Sequence, residues 1–142
     1  TRSQRLRRPQ EFAAVLAARG GASMRAAGNR LSMTAAWSAA ADVRPTRLGI
    51  TVGKRMARRS IDRALVKRIV REAFRHVAPT LDRAAAGASV AVDVSVRLKA
   101  PLGEPGSPLR PALAVLRRGL RADADQLLQA LIGRVGTIDA HA

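Results

Sequence analysis

Between Arg59 and Val77 the chain carries two rows of side chains that cannot share one environment. Arg59, Arg63, Lys67, Arg71 and Arg75 stand four apart. So do Ile61, Leu65, Ile69 and Ala73, with Val66 and Val70 at their border. On a helix turning about 100° per residue each set makes one slowly drifting ridge, and the two lie on opposite sides. The spacing predicts a helix from about Ser60 to Val77, with Pro79 as its stop. Its apolar ridge has to cover another layer of structure.

Three alternating segments can supply that layer. In RLSMTAAWS, Leu31, Met33, Ala35 and Trp37 fall on one side of a strand, with Ser32, Thr34 and Ala36 on the other. RLGITVGK places Leu48, Ile50 and Val52 on one face, and ASVAVDVSV does the same with Val90, Val92, Val94 and Val96. The last pattern predicts a sheet covered on a single face. Before the strands, PQEFAAVLAARG reads as a short helix with Pro9 in its first turn and Glu11 against the N-terminal dipole. Gly20 or Gly21 would end it, and a Gly/Ala/Ser-rich connection leads on to the strands. Residues 80–87 read as a surface loop. Pro101, Pro105, Pro108 and Pro111 make 100–111 a loop as well. Leu113, Leu116, Leu120, Leu127, Leu128 and Leu131 then return to helical spacing, disturbed near Gly119. The expected fold is an α+β two-layer sandwich in the order α-β-β-α-β-α. Residues 1–7 form a flexible basic arm, 8–133 a single domain and 134–142 a tail.

Lys and Arg number 26 against 10 Asp and Glu, a formal net charge of +16. Self-repulsion on that scale points to a polyanionic partner. Arg dominates, and its planar fork suits bidentate phosphate contacts. From Gly53 to His76 nine cations face two carboxylates, Asp62 and Glu72, which read as ion-pair partners of the Arg residues beside them. A solvated face would intersperse more acids. A membrane-surface helix would want a dense aromatic or Leu face opposite the charge, whereas here the apolar face is needed to cover the sheet. A rigid row of cations about 6 Å apart can follow a nucleic-acid backbone. No Cys is present, which excludes disulfides and thiolate metal sites, and neither His76 nor His141 sits in a ligand cluster. No carboxylate pair or His dyad offers a protein active site. No apolar run approaches the length of a membrane span, so no membrane partner is expected and the cytoplasm is the expected compartment.

The stretch RLGITVGKRMARRSIDRALVKRIVREAFR, residues 47–75, resembles the protein subunit of bacterial ribonuclease P. The family has a strand of the form R-x-G-x-x-V-x-K, a second basic residue and a short spacer, then R-N-x-x-K-R-x-x-R-E on a helix. Arg47, Gly49, Val52, Lys54 and Arg55 fill the first part, and Arg63, Lys67, Arg68, Arg71 and Glu72 the second. RLRRPQEFAAVL resembles the family's first helix, with Phe12 at an aromatic position.

The resemblance implies a left-handed β-α-β crossover, against the usual right hand. It implies that an RNA subunit with Mg²⁺, held mainly by that RNA, removes the 5′ leader of precursor tRNA. The protein would bind the RNA and grip the leader, one protein per RNA. Carried over, Lys54, Arg55, Arg63, Lys67, Arg68 and Arg71, with Arg58 and Arg59 beside them, would contact the catalytic RNA. Phe12, Leu16 and Trp37 would line the leader cleft on the exposed sheet face. This chain departs from the family pattern at Ala64, where Asn is usual, and at Leu65, where Arg is frequent. It departs again at Leu16 and Ala35, where aromatics are common. The alternatives are a stand-alone RNA- or DNA-binding module, such as a ribosome-associated one, or a member that has lost processing.

Overall fold

The computed structural model describes residues 5, 6, 8–17, 22–40, 44–103 and 111–138. Within them lie α1 (Pro9–Ala17), β1 (Ser23–Ala27), β2 (Leu31–Ala39), β3 (Arg47–Thr51), α2 (Ser60–Gly87), β4 (Val90–Leu98) and α3 (Leu113–Gly136). The strands form one sheet in the order β1-β2-β4-β3. β4 is antiparallel to β2 and parallel to β3, so α2 is the connection of a β-α-β unit.

The register sorts the side chains into two faces. Met24, Ala35, Val94 and Leu48 form one row, and Ala26, Met33, Val96 and Ile50 the next. Together with Leu31, Trp37, Val92 and Leu98 they meet the apolar sides of α2 and α3, which makes the core. Both helices run in the same direction. α2 returns antiparallel to β3 and β4. α3 travels along β2, from Asp123 beside Leu31 to Arg134 over Trp37. The opposite face is partly covered by α1, which brings Val15 into burial, so the sheet is not covered on one face alone.

Several expectations are corrected. β1 lies where only a Gly/Ala/Ser-rich connection was expected, because SMRAA has little strand propensity of its own and takes its conformation by pairing with β2. α2 passes through Pro79 and ends at Gly87, so 80–87 is helix and not loop. Proline costs a helix one hydrogen bond, about 3 kcal/mol in an interior. Here its ring is exposed, while Val77, Ala78, Leu81 and Ala85 continue the buried stripe past it. Asp82 in the added turns accepts the Thr46 N–H at 2.9 Å. Ile61 is 66% exposed, not core. A four-residue row drifts about 40° per step, so the row that is inward at Leu65 and Ile69 has turned outward at Ile61. α3 is unbroken at Gly119, although its first member, Leu113, is exposed.

The termini are more ordered than an arm and a tail. Arg5 bridges to Leu48 on the free edge of β3, and Leu6 is buried there, its N–H donating to Leu48 O at 3.0 Å. Val135 is buried and Arg134 lies 5.1 Å from the Trp37 ring centre, so α3 extends into the expected tail. The remaining arm residues 1–4 and 7, the helix end at 18–21, the Pro-rich segment 104–110 and the tail 139–142 lie outside the described residues.

Candidate nucleic-acid interface

The loop before α2 is built to present cations. Met56 and Ala57 both donate their N–H groups to Gly53 O at 3.1 Å, a tight turn that leaves Lys54 and Arg55 outside. Ala57 is buried, and Leu102 N–H donates to Met56 O at 3.1 Å, which fastens the loop to the chain after β4. Arg63 Nη1 donates to Ala57 O at 3.0 Å and Arg58 O at 2.8 Å. Arg63 therefore clamps the loop to α2, a structural duty that the sequence did not reveal.

Lys67 and Arg71 continue the row. Both are half-buried, and among the described residues neither has a carboxylate partner. Burial and, after it, the charge of Arg5 push the Arg71 pKa below its ordinary value. Two guanidiniums brought together without a counterion are unfavourable for the free protein. An anion placed between them reverses the sign of that interaction. Arg58, Arg59, Arg68 and Arg75 are exposed, and so is Ala64. Lys54, Arg55 and Arg58 thus sit on the loop at the N-terminal end of α2 with Arg59 at its cap, and Arg63, Lys67, Arg68 and Arg71 follow along the helix.

The other face of the sheet explains the strand half of the motif. Arg47 donates to both Asp93 oxygens, at 2.8 and 2.9 Å, and also pairs with Glu11. The hydrogen bonds to Asp93 hold its guanidinium pKa above the ordinary value. Glu11 also accepts the Arg8 N–H at 2.9 Å, closing the first turn of α1 in the manner of a capping box. Arg44 adds a contact to Asp93 at 3.2 Å. Arg47 thus ties α1, β3 and β4 together.

Gly49 lies beneath the Phe12 ring, and a Cβ there would collide with Phe12 Cε1 and Cζ. Gly49→Ala is expected to push Phe12 off the sheet and to destabilise the fold by about 1–3 kcal/mol, as overpacking does. Urea denaturation checks this, and an unchanged midpoint contradicts it.

Beside α1 an open groove of about 200 Å³ is lined by Leu16, Arg25, Ser32, Thr34, Ser95 and Arg97. Arg25 Nη2 donates to Leu16 O at 2.7 Å, which joins β1 to the end of α1. Phe12 and Leu16 border this face, the first half-buried and the second 48% exposed. Trp37 does not, and its expected place in the cleft is corrected. It alternates with Ala36 and Ser38 onto the helix-covered face, where it is 8% exposed under Arg134. The groove residues Arg25, Ser32, Thr34, Ser95 and Arg97 were missed as site residues. Their signal was the off-phase half of the strand alternation, legible only once the covered face is known.

Comparison with known proteins supplies the family. The Ribonuclease P family model matches residues 1–108. The ribonuclease P protein component of Bordetella parapertussis is 40% identical over 124 residues, 85% of each chain. That of Ralstonia pickettii is 35% identical over 86 residues, 61% of this chain and 54% of the relative. Among solved structures, the RNase P protein of Staphylococcus aureus superposes with a TM-score of 0.60 at 16% identity, covering 89% of this chain and 94% of that one. The RNase P protein of Thermotoga maritima gives 0.51 at 17% identity, covering 95% and 97%. The structural likeness supports the fold, and the sequence matches supply the assignment. The chain belongs to the ribonuclease P protein family, the protein component of an endoribonuclease whose catalyst is RNA.

Proposed function

We propose that the protein binds the catalytic RNA of ribonuclease P through the 53–71 cations and holds the 5′ leader of precursor tRNA on the open sheet face. The half-buried, uncompensated row of Lys67 and Arg71 beside Arg5 carries this reading. It is costly for the free protein and becomes favourable when phosphates supply the missing charge. Lys54, Arg55, Arg58, Arg59 and Arg68 widen the same surface.

The leader groove of this chain offers hydroxyls and guanidiniums with one bordering ring, Phe12, among the described residues. It would hold a single strand by its phosphates and riboses more than by base stacking. The protein would work where precursor tRNA is made, in the cytoplasm. No helix of the described residues is long and apolar enough to cross a membrane. Among the described residues no group of three or more His, Cys, Asp or Glu side chains could hold a metal ion. The proposal leaves the Mg²⁺ that the family implies with the RNA.

Reconstitution tests the reading. The protein mixed with its cognate catalytic RNA at low Mg²⁺ is expected to accelerate leader removal from precursor tRNA over RNA alone. Equal rates with and without protein would reject it. Ala64→Asn restores the family's polar group on an exposed position of α2. It is expected to leave stability within about 0.5 kcal/mol, as for most surface changes, and to tighten RNA binding in a filter assay. Weaker binding would mean that the RNA surface is shaped around alanine.

A further inference from the structure

α2 and α3 run side by side in the same direction, and an open groove of about 290 Å³ lies between them. Its walls carry Arg68 and Glu72 from α2 and Arg117 and Arg121 from α3, over a floor of Leu65 and Ile69. Three guanidiniums face one lining carboxylate, and with Asp125 beside Arg121 the excess is one positive charge. Arg121 pairs with Asp125 at 2.9 Å. Among the described residues Arg68 and Arg117 have no ion-pair partner, although Glu72 stands four residues from Arg68 on the same helix. Arg118 adds an exposed cation next to Arg117.

The groove is continuous with the cationic row. Arg68 lies about 100° around α2 from Lys67, between that row and α3. The family match ends at residue 108, before α3 begins at Leu113. The α3 cations thus lie outside the segment that the family model matches. Three other cations of the described residues have internal tasks. Arg47 binds Asp93 and Glu11, Arg63 holds the 53–59 loop, and Arg134 covers Trp37.

We propose that the α2–α3 groove is a second RNA phosphate site, in which Arg117 and Arg121 of α3 join Arg68 in holding one backbone phosphodiester and widen the RNA interface from one helix to two. This rests on the RNA-binding reading of α2. The apolar floor excludes water beneath the guanidiniums and strengthens their charge. Glu72 and Asp125 leave an excess of about one positive charge, a match for the single charge of a phosphodiester and too little for a polyphosphate cluster.

Binding of the cognate catalytic RNA, measured across a range of NaCl concentrations, tests it with three variants. Arg117→Gln with Arg121→Gln removes the α3 side of the groove without touching the row. It is expected to lower the salt slope by about 0.7–0.9 and the affinity near 0.1 M salt by roughly five- to tenfold, the loss of one phosphate contact. The melting curve is expected to stay in place. Arg83→Gln removes an exposed cation some 22 Å further along α2 and is expected to change neither slope nor affinity. Lys67→Ala with Arg71→Ala reports on the first interface. If this last variant weakens binding while the α3 variant does not, the groove is not a phosphate site and the first interface stands. If neither does, both readings fail. A slope loss in Arg83→Gln equal to that of the α3 variant would trace the effect to net charge and overturn the proposal.

Discussion

Replacing Lys67 and Arg71 together by alanine is expected to weaken binding of the catalytic RNA by between about tenfold and a hundredfold near 0.1 M salt. Each phosphate contact contributes about 0.7–0.9 to the slope of log affinity against log salt. Two lost contacts therefore flatten the slope by about 1.4–1.8. Extrapolated from 1 M, where counterion release contributes nothing, the same figure gives the affinity loss. Arg63 is the poorer choice for this experiment, since its bonds to Ala57 O and Arg58 O hold the loop that presents Lys54 and Arg55. An Arg63→Ala variant would confound a lost contact with a displaced loop. Lys67 and Arg71 have no such internal task, and removing Arg71 also relieves its repulsion with Arg5. Stability is therefore expected to hold or rise slightly. A variant that melts normally and binds RNA with an unchanged salt slope would show that the row is not the interface.

Asp123→Ala is expected to cost about 3–4 kcal/mol of folding stability. Asp123 is 6% exposed and reaches from α3 into the β1–β2 hairpin. Its Oδ1 accepts Asn29 N–H at 3.1 Å, and its Oδ2 accepts Arg30 N–H at 2.7 Å and Leu31 N–H at 3.1 Å. Hydrogen bonds to a charged acceptor contribute about 1.5–3 kcal/mol each, and buried donors left alone add a desolvation cost. The exposed Asn29 end recovers part of that through water, so the total falls below three times the single value. Gly28 permits the approach, because a Cβ at that position would stand 2.7 Å from Asp123 Oδ1. Asp123→Asn is expected to lose about half as much, since one oxygen can still serve Arg30 and Leu31 while the amide opposes the Asn29 N–H. Urea denaturation of the three proteins gives the order. Equal midpoints for wild type and Asp123→Ala would show that the hairpin holds without the carboxylate.

Asp123 also marks where sequence reading stops. An acid among Leu120, Ala124 and Leu127 looks like a flaw in an apolar face, and only the arrival of residues 28–31 turns it into a cap. β1 was illegible for a related reason. Its five residues are weak strand formers whose short alternation is lost among the flanking Ala and Gly, and the strand is held by its register to β2 across the hairpin that Asp123 pins. Pro79 misled in the opposite sense, since a local rule ended the helix where the buried stripe of Leu81 and Ala85 carries it on. The strand half of the motif was legible as a pattern but not as a set of roles. Arg47 and Gly49 serve the packing of α1 on the sheet, while Lys54, Arg55, Lys67 and Arg71 remain open to solvent in whole or in part.

The sequence by itself determined the separation of a cationic row from an apolar row on α2, the period-two strands β2, β3 and β4, and the charge excess that calls for a polyanion. These are properties of spacing and composition, and they hold for any chain geometry compatible with a helix and a strand. Only the tertiary structure decided which side of the sheet is open. A strand's two faces differ by one residue of phase, and Trp37 falls to the covered one while Ser32 and Thr34 fall to the other. Only it could decide which cations are internal ties and which are free for phosphate, because a guanidinium's role depends on the carboxylates and carbonyls that distant segments bring within 3 Å of it.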